Sequence, residues 1–167
     1  MLARKLQIPH LSMGELLRAA ALHGDERALR IKPILKTGEL VSFELALSVL
    51  IDRLAEGDSV NGYLLDGFPR NNDQFKQYDR YDQPTQVVVL EVPREVSIER
   101  LTKRAVAEGR IDDTPEVIAR RLEIYDKETD PMIDNYRERG VVHVVDARGT
   151  IEEVAERVQA IFSVASS

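Results

Sequence analysis

The run Gly62-Tyr63-Leu64-Leu65-Asp66-Gly67-Phe68-Pro69-Arg70 limits what this chain can fold into more than any other stretch. Tyr63, Leu64 and Leu65 lead into an aspartate, and Gly67 and Pro69 then stop regular structure. This is the pattern of a short buried strand ending in a turn. In an open parallel sheet, ligands collect at the carboxyl ends of the strands, so Asp66 and Arg70 are expected at the rim of a cleft. An aspartate there can hold a hydrated Mg²⁺, and an arginine offers a planar fork that fits phosphate oxygens. Taken alone, the stretch has a simpler reading, in which Asp66 ties down the turn and Arg70 is solvated.

Composition narrows the class. At 167 residues and 43% hydrophobic, the chain suits one globular domain with its own core. A net charge of -6 argues against broad binding to nucleic acid or anionic membranes, but it leaves room for arginines gathered around a small anion. Without cysteine there is neither a disulfide framework nor a thiolate metal site. His10, His23 and His143 lack ligand spacing. No apolar run approaches membrane-spanning length and no secretory leader is visible, so a cytoplasmic protein is expected.

Along the chain, Met1 to Leu6 reads as the end of a helix and Ile8 to Ser12 as a short extended piece. The latter delivers a helical segment with Arg18 one turn beyond Gly14. Asp25 caps a helix that Gly38 closes, and Ser42 caps another with a core stripe of Leu45, Val49 and Leu50. Between them, Glu39-Leu40-Val41 is expected as an exposed turn, or else as a loop plugging Leu40 and Val41 into the core. Asn72 and Asp73 open a short helix carrying Gln74. Gln86 to Val92 is the clearest strand, apolar on both faces as a strand covered by helices should be. The helix and strand alternation then continues, predicting a parallel sheet with right-handed crossovers.

A helix over Ser97 to Ala107 puts Arg100 and Arg104 one turn apart, where like charges repel by about 0.2 to 0.5 kcal/mol unless something lies between them. Glu99 and Glu108 are ordinary candidates to offset this. After Gly109 to Asp113, however, Thr114 caps a helix with Pro115 in its first position and Arg121 two turns on. Several arginines then converge around a small lid. Pro131 starts a further helical piece that stops at Gly140, followed by a strand over Val141 to Asp146. Thr150 and Glu153 form a capping box, and Ile151, Val154, Val158 and Ile161 line one face of the last helix. No Ser/His/Asp or Cys/His constellation is visible. The pair Asp112 and Asp113 is expected to bond arginines or helix ends rather than perform acid/base work.

Three groups of residues carry a resemblance. Asp66 to Arg70 followed by Gln74 looks like the signature of adenylate kinase and its nucleoside-monophosphate kinase relatives. Ser12-Met13-Gly14 with Leu17 and Arg18 is similar to their Ser-Thr-Gly-x-x-Leu-Arg. Glu99 to Arg104, Gly109 to Asp113, then Arg121, Leu122 and Tyr125 resemble the short-lid branch. The likeness runs in register from Met1 to about Val164. It implies an α/β, P-loop-kinase-like parallel sheet flanked by helices, incomplete at its N-terminus. It also implies a single domain over 1–167, with a monophosphate-binding subregion near 12–41 and a lid near 103–113.

By the same resemblance, Arg70, Arg104, Arg110 and Arg121 are the catalytic arginines. Arg104 meets the donor; Arg110 and Arg121 meet the acceptor phosphate. Arg18 grips the monophosphate, with Gly67, Phe68 and Pro69 beside it. Met13 stands where a Thr usually borders the base, the backbone of Glu39, Leu40 and Val41 meets that base, and Gln74 pairs with a purine edge. Arg100 and Gly149 serve ATP, and Asp66 holds Mg²⁺ through water. Lid closure belongs to the same inheritance. Phosphoryl transfer needs positioning and charge compensation rather than a nucleophilic side chain, which suits a set of arginines and one metal-holding aspartate.

The family's first strand and Gly-x-x-Gly-x-Gly-Lys phosphate loop do not precede Met1, and a misplaced start or a clipped fragment is the expected cause. In the family that strand lies between the one ending at Asp66 and the one at Val87. The chain as it stands is therefore expected to be impaired, and able to associate if that strand is truly absent, whereas the intact protein is expected to be a monomer. The expected reaction is transfer from ATP with Mg²⁺ to AMP, without nucleic-acid or membrane partners. Met13, Asn71 and Asn72 depart from common patterns and keep open a UMP/CMP kinase of the same fold. The remaining alternative is a catalytically inactive nucleotide-binding relative.

Overall fold

The computed structural model describes residues 1–110 and 112–163. Ile111, within the expected lid, and Val164, at the end of the resemblance, lie outside them. The order is α1 (Leu2–Leu6), β1 (His10–Ser12), α2 (Met13–Ala20), α3 (Glu26–Thr37), α4 (Phe43–Leu54), β2 (Leu64–Asp66) and α5 (Asn72–Tyr78). It continues with β3 (Val87–Glu91), α6 (Arg94–Ala107), α7 (Pro115–Ile124), a π-helical turn over Tyr125–Thr129, α8 (Asp130–Glu138), β4 (Val142–Asp146) and α9 (Ile151–Ser163). The fold is mixed α/β with parallel strands flanked by helices.

Local chemistry sets most helix ends. The Asp25 carboxylate accepts from the Ala28 N–H at 2.8 Å, and Ser42 Oγ accepts from Leu45 at 3.3 Å. Gly38 closes α3 at φ 76°, a conformation that a Cβ disfavours. Thr150 and Glu153 cap α9 reciprocally. Helix α6 begins at Arg94, earlier than the Ser97 start expected from sequence. Pro93, with φ -54°, leads directly into the helix and accepts from the Ser97 N–H.

The strands form two parallel pairs, β1 with β2 and β3 with β4, and the break falls between β2 and β3, where the resemblance places the family's first strand. Among the described residues, no strand joins β2 to β3. Their hydrophobic support differs as well. Around β1 and β2, Leu11, Ile31, Leu45, Leu50 and Phe68 belong to a cluster fed by α2, α3 and α4. A smaller cluster of Phe75, Val89, Met132, Ile133 and Tyr136 backs β3 and β4. Helices cover this second pair only in part: Val89 and Val145 are buried, but Leu90 and Val144 are each 52% exposed. This corrects the expectation of apolar faces covered on both sides. Ile151, expected on the inner face of α9, is 75% exposed because it sits at the helix's first turn, ahead of the residues that pack.

Leu50 is fully buried within the larger cluster. Leu50→Ala is expected to cost about 2 to 5 kcal/mol, from lost transfer energy plus the residual cavity. Urea unfolding followed by circular dichroism checks it, and a loss below about 1 kcal/mol would place the core elsewhere.

Candidate active site

Register builds the site. Ser12 lies opposite Asp66, so the end of β1, from which α2 departs, stands beside the end of β2. The Asp66 carboxylate is well exposed there, with His10 Nε2 at 3.6 Å. The chain then turns at Gly67, φ 78°, where an added Cβ would meet Arg70 Nη2 at 2.7 Å. Glycine therefore serves both the backbone conformation and the folding back of Arg70, whose Nε donates to the Gly67 carbonyl at 2.7 Å. The peptide between Phe68 and Pro69 is cis. Phe68 is buried against the edge of Tyr78, centroids 5.2 Å apart, and alongside Phe43.

Arg18 projects from α2 across Gly14, where an added Cβ would lie 3.4 Å from its Nη1. From the other side come α6 and α7. Asp113, whose side chain has no exposed surface, accepts from Arg104 Nε and Nη2 at 3.2 and 2.8 Å and also from Arg121 Nη1. Asp112 accepts from Arg121 Nη2 at 3.0 Å and lies 3.7 Å from Arg18 Nη1. The expectation that this aspartate pair bonds arginines is what the structure contains. Arg110 pairs with Glu108 and, with Arg18, Glu15, Gly109 and Asp112, lines an open cavity of about 260 Å³.

Charge confirms the convergence. Burial lowers the Arg70 pKa, and the nearby positive charges of Arg121, Arg104 and Arg18 lower it further while Asp66 opposes them. Arg18 is likewise lowered, by burial and then by Arg110, with Asp112 opposing. Burial acts to raise the Asp113 carboxyl, but hydrogen bonds and charge from Arg104 and Arg121 outweigh it and hold the group below the usual carboxylate value. Arg18, Arg70, Arg104, Arg110 and Arg121 thus share one electrostatic neighbourhood, with Asp66, Asp112, Asp113 and, at Arg110, Glu108 as counter-charges. Guanidinium groups gathered in this way can exchange carboxylate oxygens for phosphate oxygens.

Other expected residues take different places. Arg100 donates to the carbonyls of Ala147 and Gly149, both at 2.8 Å, and so joins α6 to the loop before α9 rather than to Arg104's partners. Glu99 bonds Lys103 and only its longer-range charge reaches Arg100, and Glu108 bonds Arg110 rather than either α6 arginine. Gly149 adopts φ 103°, and an added Cβ would strike the Glu153 carboxylate. Met13 is buried in the core. The turn before α4 is not exposed as a whole: Val41 is buried, Leu40 half-buried, and only Glu39 is solvated, bonding Arg120 at 2.7 Å. Gln74, expected at a purine edge, is buried with its amide spanning two backbone groups. Its Nε2 donates to the Val41 carbonyl at 2.9 Å and its Oε1 accepts from the Arg70 N–H at 2.8 Å.

Sequence reading missed the Glu39 to Arg120 contact and the bond from Thr129 Oγ1 to the Arg70 carbonyl, 2.8 Å long. Both span distant segments, and no local pattern encodes them. Among the described residues, no three His, Cys, Asp or Glu side chains gather as a metal cage. Asp66 is nonetheless a fitting partner for Mg²⁺, which commonly keeps several waters and needs only one or two carboxylates beside substrate phosphates. None of the described helices is long and apolar enough to cross a membrane.

Arginines converging on the open end of a parallel strand define a phosphate-handling α/β protein. The model of the family described as adenylate kinase matches residues 1–141. An adenylate kinase of Xylella fastidiosa (strain M23) is 42% identical over 158 residues, 92% of this chain and 84% of its own length. One of Xanthomonas campestris pv. campestris (strain 8004) is 43% identical over 157 residues, 91% and 84% of the two chains. One of Bifidobacterium longum (strain NCC 2705) is 42% identical over 163 residues, 95% and 88%. This chain belongs to the adenylate kinase family.

Asp113→Asn leaves Arg104 and Arg121 facing each other without their shared carboxylate. Because both arginines keep some solvent exposure, the expected cost is about 1 to 3 kcal/mol, below that of a fully buried broken pair. The folded pKa of Asp113 is depressed, so its contribution is present above the unfolded value near 3.9 and is lost as pH falls through the folded value. Urea melts of both proteins should differ fully at about pH 6, begin to approach each other as pH falls below about 4, and converge only below the depressed folded value. A gap unchanged at low pH would contradict the ionic account.

Proposed function

We propose that the intact protein works as an adenylate kinase, moving the terminal phosphate of ATP to AMP and giving two ADP, reversibly, and that residues 1–167 alone are impaired in this. One observation carries the reading: Asp112 and Asp113 draw Arg18, Arg104 and Arg121, far apart in sequence, into one cluster that Arg110 joins beside Arg18, with Arg70 near enough to feel their charge. Arg18, Arg70, Arg110 and Arg121 bind the acceptor phosphate, and Arg104 faces the donor. In-line transfer then depends on holding both phosphates and offsetting charge on the moving group. Asp112 and Asp113 keep the arginines apart and oriented between turnovers. Residues near 12–41 form the acceptor subregion, with Met13, the Glu39 to Val41 backbone, Gly67 to Pro69 and Gln74 around the base. Binding a purine there requires Gln74 Nε2 to exchange the Val41 carbonyl for the base edge.

Residues near 103–113 form the lid, and Arg100 with Gly149 serves the donor's base. Asp66 holds Mg²⁺ through water, and the ion when bound neutralises donor phosphate charge. The intact protein acts in the cytoplasm as a monomer on free nucleotides, and a form truly lacking the central strand is able to associate.

The 167 residues contain no Gly-x-x-Gly-x-Gly-Lys run, the element that cradles donor phosphates in this family. Residues 1–167 alone are therefore expected to turn over at least about 10³ slower than an intact relative, on the scale of losing a strong charge-stabilising group. They should still bind AMP in preference to CMP or UMP by calorimetry. Arg18→Ala and Arg70→Ala should each weaken AMP by about tenfold or more, the usual size of a charge-assisted hydrogen bond. Preference for CMP or UMP would move the assignment to pyrimidine nucleotides. Absence of any monophosphate binding would remove it.

A further inference from the structure

We propose that Thr129 is a positioning residue for Arg70: its hydroxyl holds the Arg70 carbonyl and ties the turn after β2 to the helix that carries Arg121. The inference rests on the reading above, that Arg70 and Arg121 grip the same acceptor phosphate.

The geometry follows from an irregularity in the helix. Between α7 and α8 the Asp130 N–H reaches back five residues to the Tyr125 carbonyl, which makes the intervening turn one residue wider than α. Pro131 follows without an N–H of its own, so the regular ladder cannot resume until beyond it. A helical threonine ordinarily bonds the carbonyl three or four residues before it. Here Thr129 Oγ1 instead donates across the molecule to the Arg70 carbonyl, 2.8 Å away and 59 positions earlier.

Two further bonds run beside it, Asn71 Nδ2 to Glu128 Oε2 at 3.2 Å and Asn135 Nδ2 to Asn72 Oδ1 at 2.9 Å. The Arg70 backbone is consequently held on both sides, its N–H by Gln74 and its carbonyl by Thr129, while its Nε is held by Gly67. Arg121 lies on α7, which runs through the widened turn into Thr129. Of the bonds that couple the Arg70 turn to the helix leading from Arg121, the one from Thr129 acts on Arg70 itself, while those from Asn71 and Asn135 act on the residues after it. A displacement of about 1 Å between two phosphate-gripping groups can cost on the order of a hundredfold in transfer.

Thr129→Val keeps the side-chain shape and removes the hydroxyl, and Thr129→Ser keeps the hydroxyl. AMP affinity of residues 1–167 is measured by calorimetry, together with the Arg70 Nε–H resonance by nitrogen-15 NMR and the melting temperature. The expected result is about a 3- to 10-fold weaker AMP affinity for Thr129→Val, the scale of one hydrogen bond. Its Arg70 Nε–H resonance should be shifted, and Thr129→Ser should match the native chain in both. A hydroxyl that only satisfies a carbonyl would lower the melting temperature and leave both the AMP affinity and the Arg70 resonance unmoved. That outcome overturns the proposal, as does failure of Thr129→Ser to restore them. Should the valine variant not fold, the smaller Thr129→Ala is held to the same outcomes. If the native chain binds no AMP, the functional reading falls separately, and the resonance alone decides whether Thr129 positions Arg70.

Discussion

Asp113 is the interaction on which the rest of this molecule depends. Its carboxylate, closed off from solvent, joins Arg104 of α6 to Arg121 of α7 and lets a cluster of guanidinium groups form inside one folded chain. Without it, two cations drawn from different helices would face each other in a partly desolvated space. Asp112 extends the bridge to Arg18 on α2, so two consecutive residues connect three helices. On the proposed reading, phosphate oxygens take the place of carboxylate oxygens on these arginines, so the charge compensation that phosphoryl transfer needs is already assembled.

The second support is the turn after β2. Phe68 and Tyr78 seat it in the larger core cluster, and Gln74, Gly67 and Thr129 fix the backbone and Nε of Arg70. This side of the site is held by hydrogen bonds to backbone groups and by aromatic packing, whereas the α6 and α7 side is held by ion pairs. Salt screens exposed charges more than buried ones, so the Arg70 turn should keep its shape under ionic conditions that loosen the rim pairs Glu108 with Arg110 and Glu39 with Arg120.

Much of this was legible in the sequence because its causes are local. Asp25, Ser42, Thr114 and Thr150 announce helix starts, since each side chain reaches the N–H three residues on. Asp66 and Arg70 could be placed at a strand end because Gly67 and Pro69 forbid its continuation. What stayed hidden depends on distant partners. The wide turn at Tyr125–Thr129 reflects how α7 and α8 meet, and nothing in the five residues dictates it. Gln74 reads as a base-pairing amide, yet it is buried and its Nε2 is taken by the Val41 carbonyl, 33 positions away. Leu90 and Val144 looked like core because β-branched and apolar runs mark a covered strand, but exposure depends on what packs over them. The division into two strand pairs, by contrast, falls where the resemblance places the family's first strand, between Asp66 and Val87.

The most direct measurement is a crystal structure of this chain with AMP bound. The account requires the 5′-phosphate within hydrogen-bonding distance of Arg18, Arg70 and Arg121, with Asp112 released from at least one of its arginines. A nucleotide seated elsewhere, with Asp112 and Asp113 still bonded to Arg18, Arg104 and Arg121 as they are now, would contradict it.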